Sequence, residues 1–279
     1  MTDETTTRIA LVGYGNIARS LLDGLLVAGY EAGDIHISDP AASQFLEIGK
    51  QGKTIHIHTS NASAVEDATI AILCVKPDVV PTVCAEIKDV LIRQSVLLVS
   101  VAAGVPVHLL QRWTTSEQPI IRCMPNTPVS VGCGMTALYA NQHVSDAHKK
   151  LGEDIFVTVG ATVWLRNEED MHVVTALSGS GPAYFFRFTE AFEKAAKALD
   201  CPPKIAQKLA IQTLYGAAML ASESDCELSV LRERITSKGG TTEKGLQVLE
   251  DMNIDRIAHS VLTAAVSRSN EISDQLEDS

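Results

Sequence analysis

The chain has 279 residues, a formal net charge of −11 and a composition that is 46% hydrophobic. This length suits two domains of ordinary size, each with a substantial core. The acidic balance excludes a basic surface for nucleic acid or for an anionic membrane, so we expect any anionic ligand to be held by local features such as helix N-termini. The expected ligand is therefore a small molecule, with neither nucleic acid nor membrane as a partner.

Cysteine and histidine usage gives no sign of a disulfide framework or of a metal site. The six cysteines contain no CxxC pair, and several lie in apolar runs, which favours buried, reduced thiols. The eight histidines lack metal-ligand spacing, so no metal is expected.

The polar start of the chain, with Asp3 and Glu4, is unlike a targeting peptide, and no apolar run approaches the roughly 20 residues of a membrane helix. We expect a cytoplasmic protein.

The first half of the chain alternates short apolar strands with helices. Residues 8–12 and 34–38 are predicted strands, and residues 17–29 between them form a helix, which makes one βαβ unit. Further strands are predicted at residues 55–58, 70–75, 96–101, 120–123, 135–139 and 162–165. Their near-continuous apolar runs indicate burial on both faces, as in a parallel sheet covered by helices. We predict an α/β fold with a Rossmann-like, doubly wound dinucleotide-binding domain over residues 1–165.

The turn after the first strand has the pattern G-x-G-x-x-A. Gly13 permits a tight turn, Gly15 lets the backbone approach a pyrophosphate, and Ala18 permits close packing of the helix. The phosphates would then sit on the helix N-terminus, at Asn16 and Ile17. A glycine turn that serves packing only is the alternative. These five residues are the predicted core of a dinucleotide site.

Asp39 closes the second strand, where a carboxylate accepts hydrogen bonds from an adenosine ribose. This position favours NADH, because a 2′-phosphate would meet like charge. Residues 40–43, Pro-Ala-Ala-Ser, can instead begin a helix whose amides bind phosphate. Asp39 can also be simply the N-cap of such a helix. NADPH and NADH both stay open as the cofactor.

After about residue 166 the pattern becomes wholly helical. Phe185, Phe188 and Phe192 recur at helical spacing, and the helix predicted over residues 205–221 is apolar on more than one face. Such a helix needs burial on both sides, either in the core of one chain or against a partner subunit. We predict an all-α domain over residues 166–279 that binds substrate and forms a homodimer.

Two segments of this helical half carry the most specific patterns. Residues 237–246 read Ser-Lys-Gly-Gly-Thr-Thr-Glu-Lys-Gly-Leu, a glycine-rich turn before a helix N-terminus, which can bind a carboxylate through backbone amides. Residues 176–184 read Ala-Leu-Ser-Gly-Ser-Gly-Pro-Ala-Tyr, and Pro182 there opens a long helix. For Ser178 and Ser180, packing explains the residue type as well as substrate contact does.

A third segment, residues 122–128, reads Arg-Cys-Met-Pro-Asn-Thr-Pro directly after a predicted strand. Two prolines flank an Asn-Thr pair and fix a rigid loop that presents small polar groups to a pocket; a purely structural loop is the alternative. The three segments together resemble the signature segments of pyrroline-5-carboxylate reductase, which makes proline by reducing a cyclic imine. The resemblance runs from residue 8 to about residue 269.

The resemblance implies roles for particular residues. Thr242, the catalytic candidate, would hydrogen-bond the imine nitrogen. The implied substrate-binding residues are Ser237, Gly240, Thr241, Thr242 and Asn126. The implied cofactor contacts, beyond the glycine loop and Asp39, are Asn61, Val75, Lys76, Pro77, Ala102, Ala103, Met124, Pro125 and Asn126. A solvated charge at Lys76 and an ordinary turn at Asn61 are the alternatives.

One position departs from the family pattern. Similar enzymes have Ser-Pro-Gly-Gly where this chain has Ser-Lys-Gly-Gly, so Lys238 replaces a proline and the loop loses a fixed φ. The ammonium group of Lys238 either faces solvent or attracts the substrate carboxylate. Solvent is favoured, because lysine is seldom buried.

The implied reaction is hydride transfer from NADPH or NADH to the C=N carbon of L-1-pyrroline-5-carboxylate, the last step of proline biosynthesis. Holding both reactants at near-contact distance is the main catalytic task, worth about 7–11 kcal/mol in favourable cases.

The family also implies an intertwined helical dimer, with a higher assembly of dimers left open. Two alternatives remain: a β-hydroxyacid dehydrogenase-like protein or other imine reductase, and a nucleotide-binding regulatory protein without turnover.

Overall fold

The structure is a computed structural model that describes residues 7–41 and 54–277. The strands are β1 (Ile9–Val12), β2 (Ile35–Ser38), β3 (His56–His58), β4 (Ile70–Leu73), β5 (Leu97–Ser100), β6 (Ile120–Met124), β7 (Gly134–Ala140) and β8 (Gly160–Trp164). The helices are α1 (Asn16–Val27), α2 (Asn61–Val65), α3 (Val80–Gln94), α4 (Val107–Trp113), α5 (Asp146–Phe156), α6 (Asp170–Val174), α7 (Gly181–Ala198), α8 (Pro203–Ser222), α9 (Leu228–Arg234), α10 (Thr241–Asp251) and α11 (Ile254–Glu277). Each predicted strand is present, with ends that differ by one or two residues.

All eight strands belong to one sheet with the order β3-β2-β1-β4-β5-β6-β7-β8. The first six are parallel and follow the order of a doubly wound dinucleotide-binding domain, which confirms the predicted fold class. β7 is antiparallel to β6, and β8 runs parallel to β7. The connection between β6 and β7 has no crossover helix, which is how antiparallel neighbours are commonly joined.

The core lies on both faces of this sheet. In β1, Ile9 and Leu11 pack into the apolar cluster that contains α1, whereas Ala10 and Val12 pack into the cluster that contains α3. All four side chains are fully buried. A strand that is buried on both faces does not alternate apolar and polar residues. This is why a continuous apolar run correctly predicted β1.

The described residues form two compact units. The first comprises those within Met1–Ser180 and Ala265–Ser279 and contains the sheet, and the second is Gly181–Ala264. α11 begins in the second unit and ends in the first. The domain boundary after residue 165 stays a prediction. Within the described ranges, no helix is long and apolar enough to cross a membrane.

The second unit is helical, and much of its apolar surface is exposed in the single chain. Along α8 the side chains of Leu209 and Tyr215 are 57% and 58% exposed, and Ala206 is the buried residue of this helix. Phe185 and Phe192 of α7 are also more than half exposed. α8 is therefore not the core helix of one chain, which was the alternative to a partner subunit.

Candidate active site

The loop after β1 contains two glycines, Gly13 and Gly15, whose surroundings differ. Gly13 has φ +91°, and a Cβ atom there would lie 2.7 Å from Val75 Cγ1 and 2.9 Å from the carbonyl oxygen of Cys74. Its amide donates to the carbonyl oxygen of Ser38 at 2.7 Å. At Gly15, in contrast, a Cβ atom would meet nothing within 4 Å. The protein thus crowds Gly13 and leaves open space beside Gly15.

That open space lies at the N-terminus of α1. Gly15 is the N-cap and makes no side-chain cap, and the first turn contains no acidic residue. The first amides of a helix lack intrahelical partners, so they are available to an anion. Asn16 is exposed, Ile17 is half-buried, and Ala18 is fully buried against the sheet. This arrangement fits the pyrophosphate of a dinucleotide.

Asp39 is joined to the glycine loop by hydrogen bonds. Its Oδ2 accepts from the amide of Tyr14 at 2.8 Å, and its Oδ1 accepts from the amide of Ala41 at 2.8 Å. The carboxylate therefore holds the end of β2 against the loop that would carry the phosphates. The phosphate-binding helix considered from Pro40 onward extends to Ser43, which lies outside the described residues, as do all of residues 42–53.

Asn61 is the first residue of α2 and connects two neighbouring elements. Its Oδ1 accepts from Ser38 Oγ at 2.7 Å, and its Nδ2 donates to Glu86 Oε2 at 2.6 Å. A cavity of about 480 Å³ opens beside it, lined by Ser38, Pro40, Thr59, Ser60, Asn61, Ala62 and Glu86. No local pattern points to Glu86, because it lies on α3, 25 residues from Asn61.

The residues predicted at the ends of β4 and β5 follow those strands directly. Val75 and Pro77 are half-buried, and Lys76 between them is exposed. After β5, Ala102 is buried and Ala103 is exposed. Because β4 and β5 are parallel to β1, all five residues follow the same carboxyl edge of the sheet as the glycine loop.

The loop after β5 is covered by the end of α11. Gly104 has φ +76°, and a Cβ atom there would lie 2.7 Å from Ile272 Cγ2. Ser273 Oγ donates to the carbonyl oxygen of Gly104 at 3.0 Å in a buried position. This part of α11 belongs to the first unit and covers the loop after β5 at the carboxyl edge of the sheet.

Asn126 joins two of the signature segments. Its Nδ2 donates to the carbonyl oxygen and to Oγ of Ser178, at 3.1 and 3.3 Å, and its Oδ1 accepts from the amide of Met135 at 2.9 Å. Met124 packs so closely on the second segment that a Cβ atom at Gly179 would lie 2.6 Å from its Cε. Pro125 is buried between these contacts. The prolines alone did not indicate this partnership.

A partly buried ion pair supports β6 just before this loop. Arg122, 5% exposed, pairs with Glu168 Oε1 at 2.7 Å, and the same oxygen accepts from the amide of Val107 at 2.7 Å. Glu168 thereby connects β6, the start of α4 and the segment before α6. Sequence reasoning missed it, since nothing local links residues 46 positions apart.

Burial disfavours the thiolate form of Cys84 on α3 and of Cys123 on β6. Burial raises the pKa of the Cys84 thiol to about 12 and raises the pKa of Cys123, next to Met124, well above its usual value. Both are buried, as predicted, whereas Cys133 is exposed in the turn before β7, so the prediction of buried thiols was wrong there.

The glycine-rich turn of the second unit leads into α10 as predicted. Gly240 is the N-cap of α10 without a side-chain cap, and a Cβ atom there would clash with Ser237 Oγ. Gly239, with φ +74°, donates its amide to Glu243 Oε2 at 2.8 Å, so this carboxylate steadies the turn. Thr241 and Thr242 are exposed at the start of the helix.

Ser237 and Lys238 complete the turn, and both side chains are exposed. The exposure of Lys238 agrees with the solvent-facing alternative. Both residues lie in the second unit.

Comparison with known proteins matches both halves of the chain. Residues 168–272 match the family model described as pyrroline-5-carboxylate reductase dimerisation, and residues 8–104 match that of a coenzyme F420-dependent NADP oxidoreductase. Pyrroline-5-carboxylate reductase of Pseudomonas aeruginosa is 40% identical over 98% of this chain and 99% of its own length.

Solved structures agree. A pyrroline-5-carboxylate reductase from Coxiella burnetii is 38% identical, with a TM-score of 0.93 over 96% of this chain and 99% of that one. The Plasmodium falciparum pyrroline carboxylate reductase, whose structure has NADP bound, is 29% identical, with a TM-score of 0.81 over 96% and 98% of the two chains. On this full-length identity and shared fold, the chain belongs to the pyrroline-5-carboxylate reductase family.

Proposed function

We propose that this protein reduces the C=N bond of L-1-pyrroline-5-carboxylate to give L-proline, with NADPH or NADH as cofactor. The observation that carries this proposal is the identity of 40% with a pyrroline-5-carboxylate reductase along almost the whole of both chains. A β-hydroxyacid dehydrogenase does not account for that match.

The first unit would hold the cofactor. Gly13 and Gly15 shape the loop, and the amides at the start of α1 bind the pyrophosphate. Asp39 keeps that loop at the end of β2 through the amide of Tyr14. When bound, the cofactor supplies the hydride that reduces the imine.

The second unit would bind the substrate. The amides at the uncapped start of α10 receive the substrate carboxylate, with Gly240 and Thr241 allowing its close approach. The Thr242 hydroxyl orients the imine nitrogen or relays a proton to it through water. Ser237, in the same turn, is a further candidate for contact with the substrate. Asn126, the candidate in the first unit, holds its own loop to Ser178.

A homodimer is part of the proposal. The helical segment matches a dimerisation family, and the exposed apolar side chains of α7 and α8 need a cover that a second copy would supply. An assembly larger than the dimer and a cytoplasmic location stay predictions.

The test follows NADPH and NADH oxidation with L-1-pyrroline-5-carboxylate for the wild type, Thr242→Ser and Thr242→Val. Wild-type turnover is expected with at least one cofactor. Thr242→Val should lower kcat/KM about 100-fold, while Thr242→Ser, which keeps the hydroxyl, should retain most of it. Cofactor binding without any oxidation would instead favour the regulatory alternative, and an unchanged Thr242→Val would remove the role of Thr242.

A further inference from the structure

The side chain of Asn61 has a defined orientation because of its two partners. A carboxylate only accepts hydrogen bonds, so the Asn61 group 2.6 Å from Glu86 Oε2 must be the Nδ2 amide. The Asn61 Oδ1 atom then accepts from Ser38 Oγ, 2.7 Å away. Two successive hydrogen bonds thus connect Glu86 through Asn61 to Ser38 at the end of β2.

Glu86 lies in the wall of the cavity at the carboxyl ends of β2 and β3. In a doubly wound sheet the adenosine ribose binds at the end of the second strand, so this cavity faces the ribose position. Asp39, beside it, already accepts one hydrogen bond on each oxygen. Among the described residues, Glu86 accepts a hydrogen bond on Oε2 only. Its other oxygen, Oε1, can therefore accept hydrogen bonds from a ligand.

We propose that Glu86 is a specificity-determining residue that disfavours the 2′-phosphate of NADPH relative to the 2′-hydroxyl of NADH. The inference rests on the proposed function, which makes one of these two the cofactor. A fixed carboxylate accepts a hydrogen bond from a hydroxyl and repels a phosphate. The hydrogen bond from Asn61 Nδ2 favours the orientation in which the exposed Glu86 side chain lines the cavity.

The test measures dissociation constants for NADPH and NADH by fluorescence titration without imine, for the wild type, Glu86→Gln and Asp89→Asn. Glutamine keeps a carbonyl oxygen for Asn61 Nδ2 and removes only the charge. Asp89 is an exposed carboxylate on the same helix, outside the cavity wall, so it is the matched control.

We expect Glu86→Gln to lower the ratio Kd(NADPH)/Kd(NADH) roughly 3- to 10-fold, and Asp89→Asn to leave it unchanged. In the wild type, raising the salt concentration should lower the same ratio by screening the repulsion, and this measurement needs no variant to fold. An unchanged ratio in Glu86→Gln, an equal shift in Asp89→Asn, or a wild-type ratio that does not respond to salt would overturn the proposal.

Because cofactor binding is measured without imine, the experiments can refute the role of Glu86 and the proposed reaction independently. A shifted ratio without turnover of L-1-pyrroline-5-carboxylate would refute the proposed reaction and leave the role of Glu86 standing. Turnover with an unchanged ratio would refute the role of Glu86 alone.

Discussion

At the residue scale, the glycine loop shows one residue type meeting two different needs. Gly13 is constrained by the protein itself, through its positive φ and the nearby Val75 and Cys74. Gly15 has an ordinary φ of −78° and open space where a Cβ atom would lie. The first glycine therefore serves folding, and the second leaves room for a ligand.

Alanine substitutions should separate these needs. We expect Gly13→Ala to lower the free energy of unfolding by about 1 to 3 kcal/mol, because alanine meets both backbone strain and a clash. Gly15→Ala should leave stability unchanged and weaken NADPH and NADH binding at least about 10-fold, since its methyl group takes the phosphate's place. Urea unfolding and fluorescence titration measure the two effects. Equal losses of stability in the two variants would contradict this assignment.

At the scale of elements, three histidines connect β2 to the edge strand β3. His36 Nδ1 and His58 Nε2 are 2.9 Å apart, and the His56 ring stacks on His36 with centroids 4.7 Å apart. The pKa of His36 is lowered to about 4, mainly by burial and also by Arg8, His56 and His58, while Asp67 opposes them. If His36 and His58 were both protonated, two N–H groups would face each other across this contact. The contact therefore requires that at least one of the two rings stay neutral.

This contact predicts acid sensitivity. Because the unfolded chain binds the His36 proton near pH 6.5 and the folded chain only near pH 4, folding stability is unaffected above pH 6.5 and falls as pH drops from there toward 4. Between pH 7.5 and 5 we expect the wild type to lose about 1 to 2 kcal/mol more than His36→Gln, measured by urea unfolding. Parallel pH profiles for the two proteins would rule out His36 as the source.

Local patterns predicted the elements better than their partnerships. Strands such as β1 and β4 are continuous apolar runs, and Gly240 followed by Thr241 correctly indicated a helix start. Glu86 and Glu168 escaped prediction, because each acts on a residue far away in the chain and has no local pattern. The roles of Asn61 and Asn126 came from family resemblance, whereas their hydrogen-bond partners became visible only in the fold.

At the scale of the whole molecule, the exposed apolar faces of α7 and α8 predict that the monomer is not the stable form. The wild type at micromolar concentration should have at least about twice the chain mass of 29.9 kDa by light scattering. Leu209→Glu places a charge in the apolar surface and should shift the mass toward the monomer. Gln207→Glu, a charge at an exposed polar position of the same helix, should stay dimeric; a monomeric wild type would refute the prediction.

The contact of Gly104 with Ser273 bears on how the protein is made. Ser273 follows Gly104 by 169 residues, so the ribosome completes the glycine loop and all eight strands long before it synthesises the segment that covers the loop after β5. A nascent or proteolysed chain that lacks residues 265–277 leaves the Gly104 carbonyl and its apolar surroundings without Ser273 and Ile272. The unit that contains the sheet is thus a discontinuous folding unit, whose maturation awaits the synthesis of residues 265–277.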